Sequence, residues 1–144
     1  MSANTLRRIL LIEDDPDEAA LIVEIHKRGK AENPLEVVND GVAALAYLRQ
    51  EGAYAGRPLP GLILLDLNLP RMSGCELLAA IKADPRFMHI PVVVLTGSTA
   101  EHDVQQAYLL QASCFIAKPT DFDEFAEIVR RIEAFWLSAT VSLP

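Results

Sequence analysis

Short apolar runs that end in a polar or charged residue recur along this chain, separated by segments of helical period. Ile9-Leu10-Leu11-Ile12 runs into Glu13-Asp14-Asp15, Leu62-Ile63-Leu64-Leu65 into Asp66, Val92-Val93-Val94-Leu95 into Thr96, and Cys114-Phe115-Ile116-Ala117 into Lys118. The periodicity predicts strands over Arg8–Glu13, Leu35–Val38, Leu62–Asp66, Val92–Leu95 and Cys114–Ala117. It predicts helices over Pro16–Arg28, Val42–Gln50, Cys75–Ala83, Ala100–Leu110 and Phe122–Leu137. Strands that are apolar at every position leave no side for water, so the five strand-helix units call for a parallel sheet with helices on both faces. Four strands then deliver acids, a hydroxyl and an amine to one edge of that sheet.

Local signals set the boundaries. Asp15 precedes Pro16 and lies three before Glu18, so it suits the cap of the first helix with proline in the first helical position. Asn39-Asp40-Gly41 and Asp84-Pro85 read as turns, and Gly52–Gly61 as the longest loop, a surface insertion on the edge opposite the acids. The expected fold is flavodoxin-like: a doubly wound (βα)5 unit with a parallel five-stranded sheet of order 2-1-3-4-5. The general rule for such sheets places ligands where winding reverses between strands one and three. Applied to this sequence, it gathers Glu13, Asp14 and Asp66 in one crevice.

Composition narrows the function classes. A chain of 144 residues, 51% hydrophobic and 23% charged, suits one globular domain. The expectation is a single domain over 1–144, with 138–144 a C-terminal tail and no output domain. No apolar stretch approaches the ~20 residues needed to span a bilayer, and Arg7-Arg8 lead into too short an apolar run for a secretory signal, so a cytoplasmic protein without membrane contact is expected. A formal charge of −7 argues against nucleic acid as a partner. Cys75 and Cys114 are too few and too distant for a disulfide framework or zinc site and read as small core or half-buried residues. His26, His89 and His102 share no spacing and are expected on the surface. Glu101-His102-Asp103 suits the start of a helix better than a metal.

Carboxylates converging at a sheet end repel one another unless a cation sits among them. All-oxygen ligands with room for water favour magnesium, which also coordinates phosphate oxygens. Aspartate is a competent nucleophile toward phosphorus. An ammonium such as Lys118 would neutralise the added charge and the hydroxyl of Thr96 would donate a hydrogen bond to the phosphoryl oxygens.

These residues resemble the receiver domain of two-component response regulators. The resemblance is carried by Glu13-Asp14 after the first strand, Asp66 in Leu-Leu-Asp-Leu-Asn-Leu-Pro, Met72-Ser73-Gly74, Thr96-Gly97 and Lys118-Pro119, and it spans the chain. It implies that Asp66 is the phosphoacceptor and that Asp14, Asp66 and the backbone carbonyl of Asn68 hold Mg2+, with Glu13 assisting through water. It further implies that Thr96, Lys118 and the switch residue Phe115 respond to the phosphoryl group, that Asn68, Gly97 and Ser98 modulate access, and that Lys118-Pro119 is a cis bond. Within the family the chain is most similar to small single-domain regulators partnered with phytochrome-type histidine kinases. That narrower likeness rests on the long second loop, Ile90-Pro91-Val92-Val93-Val94-Leu95-Thr96, and the ending Ile132-Glu133-Ala134-Phe135-Trp136-Leu137 with Val141-Ser142-Leu143-Pro144. Phe115 departs from the tyrosine common at the switch position and so lacks its hydroxyl.

The expected output is a population shift. Thr96 moves toward the phosphoryl group, Phe115 turns into the vacated space, and the surface of the fourth helix, fifth strand and fifth helix changes. The last helix carries Phe125, Ile128, Val129, Ile132, Phe135 and Trp136, an apolar stripe read either as core or as a homodimer surface centred on Phe125, Ile132 and Trp136. Transfer to Asp66 consumes the acceptor stoichiometrically, so the chain is expected not to be an enzyme. Two other classes share parts of this pattern: an aspartyl-nucleophile phosphatase, which lacks its second acid because Asn68 stands there, and a receiver-like interaction module that is never phosphorylated.

Overall fold

The computed structural model describes residues 7–29, 32–97, 105, 106, 108 and 110–137. Five parallel strands, β1 (Ile9–Ile12), β2 (Leu35–Val38), β3 (Leu62–Leu65), β4 (Val92–Thr96) and β5 (Cys114–Ala117), form one sheet in the order β2-β1-β3-β4-β5. This is the flavodoxin-like order expected from the sequence. Helices α1 (Pro16–Arg28), α2 (Gly41–Leu48) and α3 (Gly74–Ala83) and the C-terminal helix (Phe122–Leu137) connect and cover the strands. The helix expected over 100–110 lies largely outside the described residues, of which 105, 106 and 108 are helical.

Alternate residues of each central strand serve opposite layers, as the strand period of two requires. Leu10, Ile12, Ile63, Leu65, Val92 and Val94 pack with α2 and α3, whereas Ile9, Leu11, Leu62, Leu64, Val93 and Leu95 pack with α1 and the C-terminal helix. The uninterrupted apolar runs therefore follow from burial on both faces. Among the described residues no helix is long and apolar enough to cross a membrane.

Helix starts follow their caps. The side chain of Asp15 accepts hydrogen bonds from the amides of Asp17 and Glu18, and Ser73 with Glu76 forms a reciprocal capping box at α3. Asp40, read as part of a turn, caps α2 by accepting from Ala43 N at 2.7 Å, so that helix begins at Gly41. The 52–61 loop contains a 3-10 turn, Gly52–Tyr54, and is tied down by the Tyr54 ring 5.2 Å from that of Tyr47 and by Arg57 on Glu36.

The structure corrects three expectations. His26 is buried, with Nδ1 2.5 Å from Glu133 Oε2 and Nε2 2.7 Å from the carbonyl oxygen of Asn33. It shares an inward face of α1 with Ile22 and Ile25, and Glu133 shares one of the C-terminal helix with Val129 and Ile132. His89 is exposed as expected. Phe125 and Ile132, expected at a dimer surface, are buried against the chain's own sheet because the helix needs them to cover it, and Trp136 is half-buried beside them. Phe135 stays 67% exposed. The Lys118–Pro119 bond is trans.

Candidate phosphoacceptor site

Strand register assembles the site. Ile12 stands level with Leu65, Leu65 with Val94, and Thr96 with Ala117, so the residues at or just beyond these positions meet along the carboxyl edge. Backbone bonds extend the alignment past the strands: Asp66 N donates to Ile12 O at 3.1 Å and Lys118 N to Thr96 O at 2.8 Å. Gly74 seats α3 directly behind. A Cβ there would lie 2.4 Å from the Cα of Leu67 and 2.9 Å from the carbonyl oxygen of Asp66, so only glycine permits this approach.

Asp66 is buried and its two carboxylate oxygens have separate partners. Oδ1 accepts from the Thr96 hydroxyl at 2.8 Å and from the amide of Asn68 at 3.0 Å. Oδ2 faces the Lys118 ammonium at 3.2 Å. Lys118 also reaches Glu13 Oε1 at 2.7 Å and Glu18 Oε1 at 3.2 Å. The sequence marks Glu18 only as a neighbour of the helix cap. Its side chain instead turns to the ammonium, and its place one turn from Asp14 on α1 is the signal that could have shown this.

Charge is unevenly distributed here. Burial pushes Glu13 up to about 7 although the Lys118 hydrogen bond pulls the other way, and the negative charge of Asp66 adds to the rise. Burial would also raise Asp66, but the Asn68 amide, the Lys118 charge and the Thr96 hydroxyl outweigh it and hold this carboxyl below its usual range. Burial would lower Lys118, and its bond to Glu13 with the charge of Asp66 raises it instead. One ammonium facing two buried carboxylates balances one of them, and the excess negative charge is relieved most readily by proton uptake at Glu13.

Glu13, Asp14 and Asp66 each offer an oxygen, and these atoms lie within 4.8 Å of one another. Asp14 is exposed while the other two are buried, so the group opens to solvent on one side. An all-carboxylate set with an open side and surplus negative charge fits a hard divalent cation that keeps some of its water. The crevice expected from sequence is therefore formed by the expected residues.

The remaining candidates divide. Gly97 is exposed beside Thr96, with open space where a Cβ would project. Phe115 stands opposite Val94, half-buried, its ring 6.5 Å from that of the exposed Tyr108. It does not reach Asp66 by any contact described. Ser98, with Val141 and Leu143 of the tail, lies outside the described residues. A cavity of about 470 Å³ adjoins the site, with Glu18, Leu21, Lys118, Phe122 and Phe125 among its walls.

Comparison with known proteins agrees with this architecture. The response regulator receiver domain matches residues 9–130. Response regulator Rcp1 of Synechocystis sp. is 44% identical over 142 residues, which is 99% of this chain and 96% of Rcp1. The crystal structure of the phosphorylated cyanobacterial phytochrome response regulator RcpA superposes with a TM-score of 0.90 at 45% identity, covering 96% of this chain and 99% of RcpA. The Mn(2+)-bound form of Rcp1 gives 0.87 at 44% identity, covering 96% and 99%. Sheet order, the residues meeting at its carboxyl edge and sequence identity across almost the whole length agree, and the chain belongs to the response regulator receiver domain family.

Proposed function

We propose that this chain accepts a phosphoryl group on Asp66 from the phosphohistidine of a sensor histidine kinase of phytochrome type. The observation that supports this most is the convergence of Thr96 and Lys118 on the two oxygens of Asp66, beside the acidic group of Glu13, Asp14 and Asp66. In the transfer a carboxylate oxygen of Asp66 forms the new bond to phosphorus. The phosphorus–nitrogen bond of the donor breaks, its electron pair returns to the imidazole, and that nitrogen takes up a proton. Hydrolysis of the acyl phosphate by water restores the carboxylate.

Mg2+ would be held by Asp14, Asp66 and the backbone carbonyl of Asn68, with Glu13 acting through water, and would supply neutralisation of phosphoryl charge. The chain's own residues supply the rest. Lys118 carries the opposing charge, Thr96 donates its hydroxyl, and Asn68, Gly97 and Ser98 border the approach of water. Phe115 would turn inward as Thr96 moves, changing the surface around β5.

The phytochrome link draws on RcpA, which is described as a phytochrome response regulator, and on the bacteriophytochrome response regulator from which a further similar structure, 38% identical, was determined. A cytoplasmic location and a homodimer through the surface of β5 and its neighbouring helices belong to the same proposal. The contact between copies would now rest on exposed Phe135 and the rim of Trp136, whose rings meet edge to face at 4.8 Å. Incubation with candidate kinases carrying labelled phosphohistidine tests transfer: label moves to the chain from its partner, and failure with every phytochrome-type kinase of the same cell would overturn the partner assignment. Sedimentation with and without a phosphoryl mimic tests pairing, and monomer in both states would remove it.

A further inference from the structure

The geometry points to Glu18 as a positioning residue that holds the outward N–H of Lys118 until the phosphoryl group displaces it, an inference that rests on Asp66 being the phosphoacceptor. An ammonium has three N–H donors. In Lys118 they face three carboxylates: Glu13 at 2.7 Å, Asp66 at 3.2 Å and Glu18 at 3.2 Å. A phosphoryl group arriving on Asp66 brings up to about two negative charges and needs this donor, so an existing partner must give way.

Exposure decides which one. The side chain of Glu13 is 2% exposed and that of Glu18 is 33% exposed. Glu13 is enclosed, with a long 3.3 Å bond from the amide of Asp15 on its Oε2, so loss of the ammonium would leave its Oε1 buried and unmet. Glu18 can swing from α1 into water at little cost. The cap explains why it is there at all: Asp15 fixes the first turn of α1 through the amides of Asp17 and Glu18, which directs residue 18 toward Lys118 and leaves Asp17 exposed outside the cluster.

Glu18 thus does two things. It keeps the ammonium extended in the unphosphorylated state, and it competes with the phosphoryl oxygens through a like charge. Neutralising it should tighten the site for a phosphoryl group while leaving the arrangement of Lys118 on Glu13 and Asp66 in place.

The test titrates beryllofluoride, with magnesium saturating, into the wild-type chain and the Glu18→Gln, Asp17→Asn and Asp66→Asn variants, followed by nuclear magnetic resonance. Glu18→Gln should bind the mimic roughly three- to tenfold more tightly at low ionic strength, and the gain should shrink as salt is raised. Asp17→Asn removes the same charge one residue away and should stay within about twofold of wild type. A role for Glu18 in helix stability alone would not move mimic affinity. Equal affinity in wild type and Glu18→Gln, or an equal gain in Asp17→Asn, overturns the inference while leaving the phosphoacceptor reading intact. Binding that persists in Asp66→Asn overturns that reading, and the role of Glu18 with it.

Discussion

Thr96 ends β4 and Asp66 directly follows the neighbouring β3, and the hydroxyl of the one donates to Oδ1 of the other at 2.8 Å in a buried contact. Replacing Thr96 by valine keeps the shape and removes the donor, while the Asn68 amide remains on the same oxygen. Loss of one such bond should cost about 1 kcal/mol of stability. Urea unfolding should show that modest loss, and the variant should bind beryllofluoride more weakly than wild type. Unchanged mimic affinity would mean that the hydroxyl takes no part in the phosphorylated state.

Gly74 and Gly97 make a matched pair for a second prediction. Alanine at 74 would press its Cβ against the backbone of Leu67 and Asp66, whereas alanine at 97 meets open space. Gly74→Ala should destabilise by about 1–3 kcal/mol and disturb the 66–68 turn. Gly97→Ala should remain within about 0.5 kcal/mol of wild type. Thermal and urea unfolding of the two variants check the contrast.

The buried pair of His26 and Glu133 joins α1 to the C-terminal helix. Removing either partner leaves the other buried with an unmet group, so Glu133→Ala should cost about 3–5 kcal/mol. A double-mutant cycle with His26→Ala should show that the two losses are far from additive. Additive losses would mean that the residues contribute independently.

Stability should also respond to pH through Glu13, whose carboxyl rises from 4.5 to about 7 on folding. A raised acid binds its proton more tightly in the folded state, so without metal its contribution is fully present below about 4.5 and is lost as pH rises to about 7. Asp66 acts in the opposite sense, because its lowered carboxyl gives stability that is lost only as pH falls below the ordinary value of 3.8. Urea midpoints measured with chelator should therefore fall between pH 4.5 and 7, more steeply in wild type than in Glu13→Gln. Magnesium, by favouring the ionised acid, should flatten the difference.

Much of this was legible in the residues. The runs 9–12, 62–65 and 92–95 are apolar at consecutive positions because the sheet is covered on both faces, and their polar ends, with that of 114–117, mark out Glu13, Asp66, Thr96 and Lys118. Sheet order is what turned four strand ends into one site. Position along a helix was the signal underused. His26 continues the Ile22-Ile25 face and Glu133 the Val129-Ile132 face, so each polar residue sat on an apolar stripe, but their meeting depends on how two distant helices pack. The same packing explains why Phe125 and Ile132 are core residues. A wide apolar stripe cannot by itself distinguish cover for a sheet from contact with another molecule. Glu18 is hidden in the sequence because the helix start already gives its local pattern a sufficient explanation.

The central claim is that residue 66 carries the phosphoryl group. Phosphorylated chain can be reduced with borohydride, which converts an aspartyl phosphate to an alcohol, and then digested and weighed by mass spectrometry. The reduced mass should appear at Asp66 and disappear in Asp66→Asn. The same modification found at Asp14 or Glu13, with Asp66 untouched in the wild-type chain, would contradict it.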